Sequence, residues 1–157
     1  MQAELRMALV DDLDQLIRLH DRELDGETLA ALKATDFPAG LALAPADEVA
    51  AQAYSNAAAA VAALPAAPDA RILDELAADY AAVYLNNSFG ASTYESVWLD
   101  DDHLACQRPM FELREIYAAA GFKATDWRSR FDDHLVLQLH YLQHVLQADA
   151  VDGEKVA

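Results

Sequence analysis

The chain has a single cysteine, Cys106, so no internal disulfide framework can form, and a reducing compartment is implied. Basic residues are scarce as well: 11 Lys and Arg stand against 27 Asp and Glu, a formal charge of −16. Nucleic acid is recognised by basic surface, and anionic membranes repel an acidic one, so both are disfavoured as partners. A basic peptide is attracted. No run approaches the roughly 20 apolar residues that span a bilayer; the alanine-rich Ala57–Ala63 is far too short. Glu4, Arg6, Asp11, Asp12 and Asp14 break up the N-terminus, which leaves no signal-peptide core and points to a soluble, cytoplasmic protein. Strand-like alternation and internal repeats are missing too.

What is present is helical. Hydrophobic residues make up 54% and charged residues 24% of 157, the balance of a globular chain with enough length to bury a core. The acidic excess is even along the chain, −5 over residues 1–45, −5 over 46–90 and −6 over 91–157, so no separate charged tail carries it. Leu5, Leu9, Leu13, Leu16, Ile17 and Leu19 recur at helical spacing, and Asp25-Gly26-Glu27-Thr28 opens a second helix towards Leu32. Pro38, Gly40 and Pro45 mark a loop. Alanine, the best helix former, dominates about Asp47 to Leu64, and Pro65 and Pro68 close that helix. Next, Asp69 reads as an N-cap before the stripe Ile72, Leu73, Leu76, Ala77, Tyr80, Val83 and Tyr84.

Residues Gly90 to Pro109 read as a non-helical stretch. Pro109 then starts a helix that ends at Gly121, a C′ glycine. A second loop holds Trp127, Arg128 and Arg130. Asp132 or Asp133 is expected to cap the last helix, on which Leu135, Leu139, Leu142 and Leu146 recur, with fraying from Asp149 onward. The reading is an all-α, single-domain bundle over residues 1–148 with a short tail at 149–157.

Candidate chemistry is sparse. His140 and His144 are neighbours on one helix, about 6 Å apart along its axis, but His134 lies roughly 120° round from His140, so one ion cannot take all three. Glu-x-x-His and His-Glu-x-x-His patterns are lacking, and a solvated polar stripe with Gln143 and Gln147 accounts for the histidines. Cys106 has His103 nearby but nothing that specifies a reactive thiolate, and no nucleophile elbow or phosphate loop occurs. Trp98, in Tyr94-Glu95-Ser96-Val97-Trp98-Leu99-Asp100, either anchors a loop into the core or forms the apolar wall of a groove beside acidic groups.

Asp74-Glu-Leu-Ala-Ala-Asp-Tyr80, then Tyr94-Glu-Ser-Val-Trp-Leu-Asp100, then Asp133-His134 opening a leucine-rich helix, together resemble the TorD/DmsD family of cytoplasmic redox-enzyme maturation chaperones. Arg22–Leu32 is similar to the family's opening, and Arg114 and Tyr117 fall in the corresponding helix. The resemblance implies an all-helical fold with no catalytic residues, no metal and no cofactor of its own. It implies a partner too: the twin-arginine signal peptide of a molybdenum-dependent oxidoreductase subunit, held with the apo-enzyme until cofactor insertion and then released for export. Carried over by position, Ser96, Trp98, Leu99, Asp133 and His134 are the peptide-recognition residues, joined by their neighbours Tyr94 and Asp100. Carboxylates such as Asp133 are expected to pair with the arginines.

Two departures stand out. The family writes Glu-Pro-x-Asp-His, whereas Arg130 stands here in place of the acid, with Asp132 as a partial offset. Relatives also continue for another helix or two, which implies a short or truncated member, or a bundle completed by a partner chain; the oligomeric alternatives are a monomer and a helix-swapped dimer. Competing functional readings are a helical metal-dependent hydrolase using His140 and His144, and an acidic helical adaptor for a basic protein.

Overall fold

Three aspartates set where helices begin. In the computed structural model, which describes residues 2–124 and 130–154, the Asp25, Asp47 and Asp69 carboxylates each accept a hydrogen bond from the backbone N–H three residues on: Thr28 at 2.7 Å, Ala50 at 2.8 Å and Ile72 at 2.9 Å. Each satisfies an N–H that the first helical turn leaves unpaired. The helices are α1 (Ala3–Asp21), α2 (Gly26–Ala34), α3 (Glu48–Ala63), α4 (Ala70–Tyr80), α5 (Ser96–Leu99), α6 (Arg108–Ala119) and α7 (Leu135–Glu154). The all-α expectation holds: among the described residues there are seven α-helices and no strand. No helix among them is long and apolar enough to cross a membrane. Trp127 and Arg128 lie outside the described residues.

The chain divides into two compact units, residues 1–81 and 82–157. The first has Leu13 and Ile17 of α1 and Leu29 and Leu32 of α2 as its buried apolar side chains. Asp12 is buried too, and its carboxylate accepts the Leu43 N–H at 2.7 Å, tying the proline-marked loop to α1. Lys33 Nζ donates to the Val61 carbonyl at 2.7 Å. That carbonyl is in the last turn of α3, where helix geometry supplies no partner and the dipole favours a cation. Tyr54, on α3, donates its hydroxyl to the Pro38 carbonyl. The stripe read through to Tyr84 leaves α geometry at Tyr80, where a π turn, Ala81–Leu85, takes over.

His20, near the end of α1, supplies a pH dependence. Burial pushes its imidazole below the ordinary 6.5. The unfolded chain therefore takes up a proton below 6.5 that the folded chain resists, so stability is lost as pH falls from that value towards the lowered folded one. We expect the urea midpoint to drop more steeply in the parent than in His20→Gln between about pH 7.5 and about pH 5.5. Identical slopes in the two proteins would contradict this.

In the second unit, Met110, Tyr117, Ala124 and Val136 form the buried apolar set. Pro109 sits in the first turn of α6, as its fixed φ favours. Gly121 (φ 71°) closes α6 in a Schellman motif: the Phe122 N–H donates to Tyr117 O at 2.8 Å and the Gly121 N–H to Ala118 O at 3.2 Å. The apolar contact that accompanies such a cap is present, with the Phe122 and Tyr117 rings edge-on at 5.1 Å. Tyr141 of α7 joins them, 4.8 Å from Tyr117 and 5.7 Å from Phe122. Leu142, one of the recurring leucines, is 51% exposed, while Val136 is buried and Tyr141 packs on Tyr117. The helix runs on to Glu154, past the Asp149 at which fraying is expected.

Candidate functional site

The two segments singled out in the sequence, 94–100 and 133–134, meet in the second unit through one antiparallel bridge between Tyr94 and His134. The Glu95 N–H donates to Asp133 O at 3.1 Å and the Leu135 N–H to Thr93 O at 2.8 Å. Above the bridge the chain makes a single helical turn, α5, where the sequence had suggested none; four residues are too few to show a period. Its N-cap residue, Glu95, makes no side-chain cap, and Glu95 Oε2 instead accepts from Gln138 Nε2 at 3.1 Å. The cap comes from far along the chain: Asp133 Oδ2 accepts the Ser96 N–H at 2.9 Å. Ser96 Oγ in turn accepts the Gln107 N–H at 3.2 Å, linking α5 to the start of α6. Both Ser96 and Asp133 are 0% exposed. Asp133 Oδ1 has no hydrogen-bond partner among the described residues.

This corrects the expectation that an aspartate caps the last helix. His134 precedes α7, and its Nδ1 accepts the Val136 N–H at 3.1 Å. An accepting Nδ1 carries no proton, so the neutral ring holds its hydrogen on Nε2. The imidazole is buried and stands edge-on to Tyr94, with centroids 5.0 Å apart; Phe131 packs on the same tyrosine at 5.7 Å.

Outside this buried seat the character changes. Trp98 is 59% and Leu99 63% exposed, and Trp98 Nε1 donates to Ser92 O at 2.9 Å, which fixes the indole. Leu104 and Phe89 are exposed as well. Asp100 ends α5 and its Oδ1 accepts the Asp102 N–H at 3.1 Å, while His103 Nδ1 donates to Val97 O at 2.9 Å. Of the two readings of Trp98, the anchored core residue is not what the fold shows: Ser96 is the anchor, and the tryptophan faces out.

The electrostatics are acidic. Glu95 is pushed above the usual carboxylate range by burial, and then by the negative charges of Asp133 and Glu112. Burial also raises the Tyr94 phenol, against the opposing pull of Arg130. Asp132 pairs with Arg114, Nε to Oδ2 at 2.5 Å, and its backbone carbonyl accepts the Tyr117 hydroxyl at 3.1 Å. Burial and then the Asp132 charge push the Tyr117 phenol far up. Gln107 and Gln138 are supporting residues that sequence reasoning missed, and Glu95, Arg114 and Asp132, named there, have roles it did not assign: the bond to Gln138 and the Arg114–Asp132 pair. Among the described residues no group of three His, Cys, Asp or Glu is placed to hold a metal ion. His144 Nε2 instead lies 3.2 Å from Ala120 O, with its ring 5.5 Å from that of Phe122.

Residues 43–156 match the family model described as nitrate reductase delta subunit. The stretch Arg22–Leu32 lies outside that match. Neither the curated proteins nor the solved structures give a match.

Proposed function

Because the chain belongs to the nitrate reductase delta subunit family, a TorD-like family of molybdoenzyme maturation chaperones rather than enzymes, we propose that it binds the twin-arginine signal peptide of a molybdoenzyme catalytic subunit. On this reading it holds the apo-subunit in the cytoplasm, by the mode of TorD/DmsD chaperones, until the cofactor is inserted. The observation that carries the reading is the exposed Trp98–Leu99 pair on a turn whose Ser96 is fully buried. An outward indole, held by its own N–H, offers apolar area at little entropic cost. Glu95 and Asp100 beside it suit the arginines that precede an apolar leader segment. Tyr94, Trp98, Leu99 and Asp100 supply the face, with Ser96, Asp133 and His134 beneath it.

Calorimetry with a synthetic peptide of two arginines followed by about ten apolar residues tests this. We expect Trp98→Ala to weaken binding about tenfold with helix content unchanged, since the side chain is largely outside the core. Raising salt from about 0.05 M to about 0.5 M should weaken the parent complex. Affinity that survives replacement of both arginines by glutamine, or that ignores Trp98→Ala, would sink the reading.

A further inference from the structure

Asp133 is the most deeply placed residue of the motif pair. Its carboxylate has no exposed surface, and Oδ2 is committed to the Ser96 N–H at 2.9 Å. A group so enclosed is badly placed to meet an incoming guanidinium. It is well placed to hold α5. One helical turn is not stable by itself, because nucleation fixes several residues for a single hydrogen bond. The residue at its N-cap has helical backbone angles (φ −60°, ψ −38°) and gives no side-chain cap. The turn is therefore held from outside, by the Asp133 carboxylate at Ser96 N and by the Gln107 N–H at Ser96 Oγ. Trp98 and Leu99 follow two and three residues later, so the course of their backbone starts from Ser96, while the indole's own bond to Ser92 O sets its ring.

We infer that Asp133 is a positioning residue, which acts on the ligand through helix α5 and its outward Trp98 and Leu99 and does not itself pair with the peptide's arginines. The inference rests on the peptide-binding reading and deepens it. Among the described residues the bond that this carboxylate makes is the one to the Ser96 N–H, at the base of the exposed turn.

Shape and charge can be separated at this position. Asp133→Asn keeps an acceptor of the same reach and removes the charge, whereas Asp133→Glu keeps the charge and displaces the acceptor by a methylene. We expect Asp133→Asn to bind the twin-arginine peptide within about threefold of the parent and with the same salt dependence. Asp133→Glu and Asp133→Ala should lose about tenfold, the scale of a lost cap. A readout without ligand accompanies this. In a Trp127→Phe background Trp98 is the one tryptophan, and its fluorescence emission should shift in Asp133→Glu and Asp133→Ala but not in Asp133→Asn. The inference is overturned if Asp133→Asn loses both affinity and salt dependence while Asp133→Glu keeps them, or if the Trp98 emission is the same in all variants. Should Asp133→Ala fail to fold, the Asn and Glu pair still decides. A parent protein that binds no twin-arginine peptide removes the peptide reading, and the Trp98 emission then decides the positioning role by itself.

Discussion

Replacing Gly40 by alanine is expected to cost about 3 kcal/mol or more, a drop of roughly 10 °C in melting temperature for a chain of this size. A Cβ at Gly40 would sit 1.9 Å from the Thr35 carbonyl oxygen and 3.1 Å from its carbon. Those atoms are backbone and cannot swing aside. The Thr35 N–H is bonded to Ala31 O at 3.0 Å and its Oγ1 to Gln15 at 3.0 Å, while the Gly40 N–H holds Asp36 O at 2.9 Å. Relief therefore means opening the turn that follows α2. Gly121→Ala is the natural control. Its Cβ would enter open space, so only the left-handed backbone (φ 71°) opposes it, at about 1 kcal/mol. Urea and thermal unfolding of both variants measure the contrast; a Gly40→Ala protein as stable as Gly121→Ala would refute it.

Arg114→Ala should be nearly as damaging, at about 3 kcal/mol. The Asp132 side chain is 6% exposed and Arg114 47%. Removing the arginine strands a carboxylate where water reaches poorly, and the buried partner left behind sets the cost. The half-exposed position of the arginine keeps it at the lower end for such pairs. Asp132 also carries the carbonyl that receives the Tyr117 hydroxyl, one residue before the Asp133 cap, so the loss should reach the ligand face and weaken peptide binding as well. Asp132→Asn in the Arg114→Ala background should recover most of the stability, because the stranded charge is gone. A double-mutant cycle gives the coupling directly, and additive effects would refute the pair's importance.

What was legible in the sequence was local. Asp25, Asp47 and Asp69 could be read as helix starts because an N-cap and its recipient lie three residues apart, and Gly121 as a helix end because a Schellman cap sits within six residues. The residues of the candidate site were named from a resemblance, but their arrangement was not readable. The bond that organises them joins residues 37 apart in the chain, and no spacing rule reaches that far. The same distance explains why a cap on the last helix is the natural expectation from sequence: Asp133 lies two residues before α7 in the chain yet caps α5 in space. The π turn after Tyr80 escaped because its residues, Ala81–Leu85, continue an ordinary helical composition. The exposure of Trp98 was an open alternative, since a tryptophan in a short irregular stretch is compatible with either side of a surface.

The remote cap also dictates an order of assembly during synthesis. When Ser96 and Trp98 emerge from the ribosome, the carboxylate that fixes their turn, 37 residues on, has yet to emerge, and the strand-like pairing at Thr93 and Glu95 is equally missing its other half. A nascent chain ending short of Asp133 therefore displays the tryptophan without a fixed bearing. On the peptide-binding reading, competence to hold a ligand arrives with Asp133 rather than accumulating along the polypeptide.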